Sequence, residues 1–215
     1  MDIVSRIEHT NLQPTTGITD IERLIEEAHR HSFYGICVAP FWVKQAKREI
    51  ANRAIALVTV VGFPLGFNLT ETKLQEMTLA LDNGADEIDF VWNMGAFKSG
   101  MNWTKIELAK ASQIVHSRQK VLKVIIEAGL LTADEIVAAC ELCRDAGADL
   151  VKTSTGFAGQ GAQVAHVALM RKVLPASVGI KASGRIRTRD QALQLIQAGA
   201  DRIGTSAGMQ IIAGG

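Results

Sequence analysis

"GADEIDFVWN", residues 84–93, holds a helix end and a strand start in one short run. Gly84 suits the left-handed position that closes a helix. Ala85, Asp86 and Glu87 follow, and then an apolar run from Ile88 to Trp92, interrupted by Asp89. The same Gly-Ala-Asp triplet stands at 147–149 before "LVKTST" and at 199–201 before "RIGTS". A repeated helix-to-strand junction marks a repeated structural unit. Outward from these three, apolar or β-branched runs occur at 35–39, 56–63, 121–128 and 177–183, with "RIEHT" at 6–10 as a short eighth. The runs are continuous rather than alternating, which means burial on both faces and therefore a parallel sheet with helices outside it.

Helix-period segments separate the runs, and three of them carry capping-box starts: Thr19 with Glu22, Thr132 with Glu135 and Thr188 with Gln191. Eight strand–helix units in 215 residues predict a compact (β/α)8 TIM barrel, one domain spanning residues 1–215. An open doubly wound sheet is the competing arrangement. It is disfavoured because no G-x-G-x-x-G opens a helix after the first strand.

Composition narrows the partners. A chain 47% hydrophobic and 21% charged is ordinary for a water-soluble domain, and its net charge of +1 offers no field for nucleic acid or anionic lipid. No apolar stretch is long enough to span a bilayer, and the N-terminus lacks the layout of a secretory leader, so the cytoplasm is the expected location. Three cysteines fit a reducing compartment. Cys140 and Cys143 form a C-x-x-C late in a helix, away from the terminus that would activate a thiol, and read as packing. The five histidines, His9, His29, His31, His116 and His166, show no metal-ligand spacing.

In such a barrel the chemistry sits at the C-terminal ends of the strands. Lys152 with Ser154, Lys181 with Ser183, and Asp89 with Val91 each share one strand face. Two lysines and a carboxylate thus interrupt three apolar strands. A single Lys–Asp pair could be structural, but a second ammonium beside it is unfavourable unless it is used. Burial and an adjacent cation both lower a lysine pKa, which yields the neutral amine that imine formation needs. These residues alone leave open which lysine attacks. Cys37 and Glu127 also lie at strand ends. Core packing suits Cys37 better than a place in the pocket, and a structural hydrogen bond suits Glu127 better than catalysis. Phe63 and Phe67 in "GFPLGF" are expected to be structural.

The segments "VKTSTGF", "GIKASGRIRT", "TVVGFPLG", "KVIIEAGLLT", "HVALMRKVLP" and "RIGTSAG" resemble, in order and over nearly the whole chain, the motifs of the deoxyribose-phosphate aldolase family. The resemblance implies a metal-free, cofactor-free class I aldolase of deoxyribonucleotide catabolism. Such an enzyme interconverts 2-deoxy-D-ribose 5-phosphate with D-glyceraldehyde 3-phosphate and acetaldehyde. It implies Lys152 as the Schiff-base lysine, Lys181 as its tuning partner and Asp89 as proton donor and acceptor. Phosphate would meet Gly156, Gly184, Arg185, Thr205 and Ser206. Small sugar phosphates and aldehydes are then the partners, with no nucleic acid or membrane, and a homo-oligomer is left open.

This sequence departs from the family at Glu8, which replaces an aspartate, at Gln13, which replaces a lysine, and at Arg185, which replaces the second glycine of the phosphate turn. Crowding of that turn by Arg185 would make Arg185→Gly lower the KM for the phosphorylated sugar. Three alternatives remain: a phosphate-binding barrel isomerase or synthase acting through Asp89 and Glu127, a non-catalytic sugar-phosphate binder, and an aldolase with relaxed preference for unphosphorylated aldehydes.

Overall fold

The computed structural model describes residues 2–214. Eight parallel strands close in chain order into a barrel: β1 (Ile7–Asn11), β2 (Gly35–Val38), β3 (Ala56–Val61), β4 (Glu87–Val91), β5 (Val121–Ile125), β6 (Leu150–Lys152), β7 (Gly179–Ser183) and β8 (Arg202–Thr205). Around it lie α1 (Ile18–His31), α2 (Val43–Ile50), α3 (Thr70–Asp82), α4 (Met94–Lys98), α5 (Trp103–His116), α6 (Ala133–Asp145), α7 (Val164–Val173), α8 (Arg189–Gln197) and α9 (Gly208–Ile212). The (β/α)8 reading holds, and β1 pairs with β8 to close the sheet.

The Gly-Ala-Asp junctions use all of their polar chemistry. Gly84, Gly147 and Gly199 take φ of 104°, 85° and 115°, where a side chain would be strained. The carboxylates of Asp86, Asp149 and Asp201 then accept hydrogen bonds from the backbone N–H groups of Leu57, Leu122 and Ile180 at 3.1, 2.7 and 2.8 Å. Each aspartate therefore ties the strand it introduces to the strand before it. Asp149→Ala would leave the buried Leu122 N–H without that acceptor, at a cost of about 1–3 kcal/mol. Denaturant melts should record that loss, and Asp149→Asn, which keeps an acceptor, should lose less.

Two of the three capping boxes form as read, at Thr132/Glu135 and Thr188/Gln191. The third does not. α1 begins at Ile18 with Gly17 as its cap, and Asp20 rather than Glu22 returns its carboxylate to the cap N–H at 2.9 Å. An extended Gly17 moves the helix start upstream of Thr19.

Most of the apolar core lies between barrel and helices. Inside the barrel a separate apolar group, Cys37, Val58 and Val60, covers only the β2–β3 side and packs against the partly buried Leu12 and Phe63. Glu8, Glu87, Asp89, Lys123, Lys152 and Lys181 form a buried ionic group elsewhere in the interior. Cys140 and Cys143 are buried in the outer core, and burial pushes the Cys140 thiol up to about 12 and that of Cys143 well above its usual value. Inert packing suits both. Among the described residues no helix is long and apolar enough to cross a membrane.

Candidate active site

Parallel register brings the charged strand residues together. Lys152 stands directly beside Lys181, and Asp89 beside Lys123. Asp89 is fully buried, and its Oδ2 accepts from Lys152 Nζ at 2.7 Å and from Lys181 Nζ at 2.6 Å. Its Oδ1 accepts from Lys123 Nζ at 3.1 Å. The expected trio of Lys152, Lys181 and Asp89 thus does meet, at one carboxylate.

The charge count is larger than the sequence suggested. Glu8 accepts from both Lys181 and Lys123, the latter at 3.1 Å, and Glu87 lies 2.5 Å from Lys123. Lys123, Lys152 and Lys181 therefore face Glu8, Glu87 and Asp89, three cations against three anions. The second ammonium is therefore matched by Glu8 rather than surplus. Lys123 carries the same signal as Lys152, a charge within an apolar run, and Glu87 stands at the head of the β4 run.

Within this balanced cluster the lysines differ. Burial lowers the pKa of Lys152 and the nearby Lys181 cation adds to that, against the pull of Asp89. Burial is the larger cause, so Lys181 assists rather than dominates. Lys181 is held above the usual lysine value, because Asp89 and Glu8 outweigh its burial. Lys123 is held well above, by Asp89, Glu8 and Glu87. Burial alone would raise the pKa of Asp89, yet the three lysines hold it well below the carboxylate range.

Access separates them further. A cavity of about 380 Å³ opens at the C-terminal end of the barrel and is lined by Lys152 but by neither Lys123 nor Lys181. All five candidate phosphate residues, Gly156, Gly184, Arg185, Thr205 and Ser206, line it as well. The β6 and β7 loops meet backbone to backbone there: a Cβ on Gly184 would come 3.2 Å from Gly156 Cα. Arg185 takes φ of 60°, so the left-handed turn survives the side chain at a cost in strain. The Thr205 hydroxyl donates to Ile186 O at 2.7 Å and accepts from Ala207 N–H at 2.9 Å, which leaves its donor committed to the fold. Ser206 is exposed and free to turn toward the cavity.

Glu127 acts as a brace. Its Oε2 accepts from the Thr155 N–H at 3.0 Å and from the Thr155 hydroxyl at 2.5 Å, fixing the loop that carries Gly156. Cys37 is fully buried in the interior apolar group, and burial pushes its thiol up to about 11. Phe63 meets Phe157 edge to face at 5.2 Å beside the cavity, whereas Phe67 is 68% exposed and supports no core.

Among the described residues one lysine lines the cavity, and it is buried, lowered in pKa and hydrogen-bonded to a carboxylate, a set of features that marks a candidate site at the strand ends of a barrel enzyme. Residues 5–214 match the model of the DeoC/LacD family aldolases. Thermococcus gammatolerans deoxyribose-phosphate aldolase is 47% identical over 100% of this chain and 96% of its own. Among solved structures, the aldolase QR15 superposes with a TM-score of 0.94 at 38% identity, covering 99% of this chain and 95% of the other. The tetrameric deoxyribose phosphate aldolase of Aeropyrum pernix gives 0.92 at 32% identity, covering 98% and 89%. The chain belongs to the DeoC/LacD aldolase family, and it is an aldolase.

Proposed function

We propose that this aldolase cleaves 2-deoxy-D-ribose 5-phosphate reversibly to D-glyceraldehyde 3-phosphate and acetaldehyde through an imine on Lys152. The observation that carries the residue assignment is that, of the four buried lysines Lys73, Lys123, Lys152 and Lys181, only Lys152 both opens on the cavity and has a lowered pKa; Lys73 is lowered too but lies outside the cavity lining. Its amine adds to the C1 aldehyde, water leaves, and a protonated imine results. A base takes the proton of the C3 hydroxyl, the C2–C3 bond breaks, and its electron pair moves to the imine as an enamine. A C3–C4 break would not place the electron pair next to the imine carbon. Protonation at C2 and hydrolysis then release acetaldehyde and the free amine. Asp89 and Lys181, 2.6 Å apart, carry these protons as a pair through a water on the cavity side, since neither lines the cavity itself and Asp89 on its own is held firmly ionised. A homo-oligomer in the cytoplasm is the setting we favour, in keeping with the tetrameric relative.

Borohydride with acetaldehyde, followed by peptide mapping, tests the assignment. Reductive mass should be added at Lys152. An adduct on Lys181 with Lys152 unmodified, or no release of acetaldehyde from the sugar phosphate, would overturn it.

Two variants sharpen the reading. Lys181→Leu removes a neighbouring cation and leaves Asp89 freer to hold protonated Lys152, and both changes raise the Lys152 pKa. The acid limb of the pH–rate profile should move to higher pH, and an unmoved limb would reduce Lys181 to a structural role. For Arg185 the preserved left-handed turn leads us to favour the opposite of the sequence-based expectation. The turn stays left-handed, and Arg185 is exposed and borders both the cavity and a smaller neighbouring one beside Gln191 and Leu195. Its guanidinium is then a net aid to phosphate binding. Arg185→Gly should raise the KM for deoxyribose 5-phosphate several-fold and leave that for unphosphorylated deoxyribose unchanged. Leu12 and the 54% exposed Phe157 add apolar area to the lining and favour acceptance of unphosphorylated aldehydes as a secondary activity.

A further inference from the structure

We propose that the hydroxyl of Tyr34, at the face of the barrel opposite the cavity, is a positioning group that sets the pH range over which Lys152 works. The proposal rests on Lys152 as the imine-forming amine. Conservation of fold would assign that face to stability alone. Here the ionic cluster runs through the barrel to reach it.

Tyr34 precedes β2 and is partly buried. Its hydroxyl donates to Glu87 Oε1, while Glu87 Oε2 lies 2.5 Å from Lys123 Nζ. Lys123 also reaches Glu8 and Asp89, each at 3.1 Å. One ammonium is thus divided among three carboxylates, and what Glu87 draws from it is withheld from Asp89. Asp89 in turn holds Lys152 and Lys181 through its other oxygen. The hydrogen bond from Tyr34 satisfies part of Glu87 and so leaves more of Lys123 to Asp89.

The charged groups around this line come from nearly every strand. Glu8 faces it from β1, Glu87 and Asp89 from β4, Lys123 from β5, Lys152 from β6 and Lys181 from β7. From β8 the Arg202 guanidinium stacks 3.6 Å from the centre of the Tyr34 ring. β2 contributes the Cys37 thiol, which burial keeps protonated. Burial, and then the Glu87 carboxylate, also push the Tyr34 phenol up, so it stays a donor across the working range.

Tyr34→Phe keeps the ring beneath Arg202 and removes only the hydroxyl. Glu87 then takes more of Lys123, Asp89 turns more of its charge to Lys152, and the protonated amine is favoured. The acid limb of kcat/KM should move up by about half a pH unit, as one modest hydrogen bond passed through the cluster allows. The alkaline plateau should be unchanged.

Tyr34 is the chain's only tyrosine, so biosynthetic replacement with 3,5-difluorotyrosine alters this position alone. A more acidic phenol donates more strongly and should move the limb the other way, to lower pH. Opposite displacements in the two proteins support the proposal. Coincident profiles, displacements in one direction, or a lowered Tm with an unmoved profile overturn it. Borohydride trapping on the wild-type protein separates the two readings: no adduct at Lys152 defeats the imine assignment, whereas an adduct there with unmoved profiles defeats only the role of Tyr34.

Discussion

Lys152→Met should abolish borohydride trapping with acetaldehyde and lower the rate of sugar-phosphate cleavage by on the order of 10⁴-fold or more, because among the described residues no other amine lines the cavity to take its place. The variant should still fold. A lysine whose folded-state pKa is lowered costs stability below that pKa, and the cost falls away as pH rises toward the unfolded value. At neutral pH the methionine protein should therefore melt no lower than the wild type, which separates lost chemistry from lost structure. Asp89 retains Lys123 and Lys181 in that variant. Cleavage above about one hundredth of the wild-type rate, more than spontaneous background chemistry in the remaining site would supply, would sink the assignment.

Lys123→Met carries the largest expected cost in stability. It removes the one cation that Glu8, Glu87 and Asp89 share, and it leaves Glu87 with only the Tyr34 hydroxyl inside the barrel. Removing one member of a buried ionic set typically costs about 3–5 kcal/mol, and in a chain of this size that is a fall in Tm of on the order of 10 °C. The folded-state pKa of Lys123 is raised, so its contribution is complete below the ordinary lysine pKa and lost only as pH rises through the raised value. The difference between wild type and variant should accordingly be nearly constant from pH 6 to 9 and shrink only in strong alkali. Thermal melts across that range decide the matter. A fall under about 2 °C would mean that the cluster tolerates an uncompensated carboxylate, contrary to the usual cost of one.

The architecture was legible because it depends on local chemistry repeated along the chain. Continuous apolar runs, left-handed glycines at 84, 147 and 199, and box-type helix starts each follow from neighbours in sequence. Where a local signal had two possible partners, it misled. Thr19 offered a cap, but the extended Gly17 with Asp20 offered one earlier, and the chain used it. Phe67 offered apolar area to a core, but its loop turns it outward. The role of Asp in the Gly-Ala-Asp triplet was invisible because its partner N–H sits on the preceding strand, 29 residues away in the case of Leu57 and Asp86.

By itself the sequence determined that this chain closes a parallel barrel and that Lys152, Lys181 and Asp89 lie near the working ends of its strands, because strand periodicity places side chains by counting. Only the tertiary structure decided which lysine faces the cavity and how many charges share the interior. It also decided that Arg185 keeps its turn left-handed, and that the cluster reaches Tyr34. Those facts depend on solvent access and on Coulomb contacts between strands far apart in sequence, such as Glu8 and Lys181, separated by 173 residues. A pKa is set by the whole surrounding field, and no single stretch of sequence contains it.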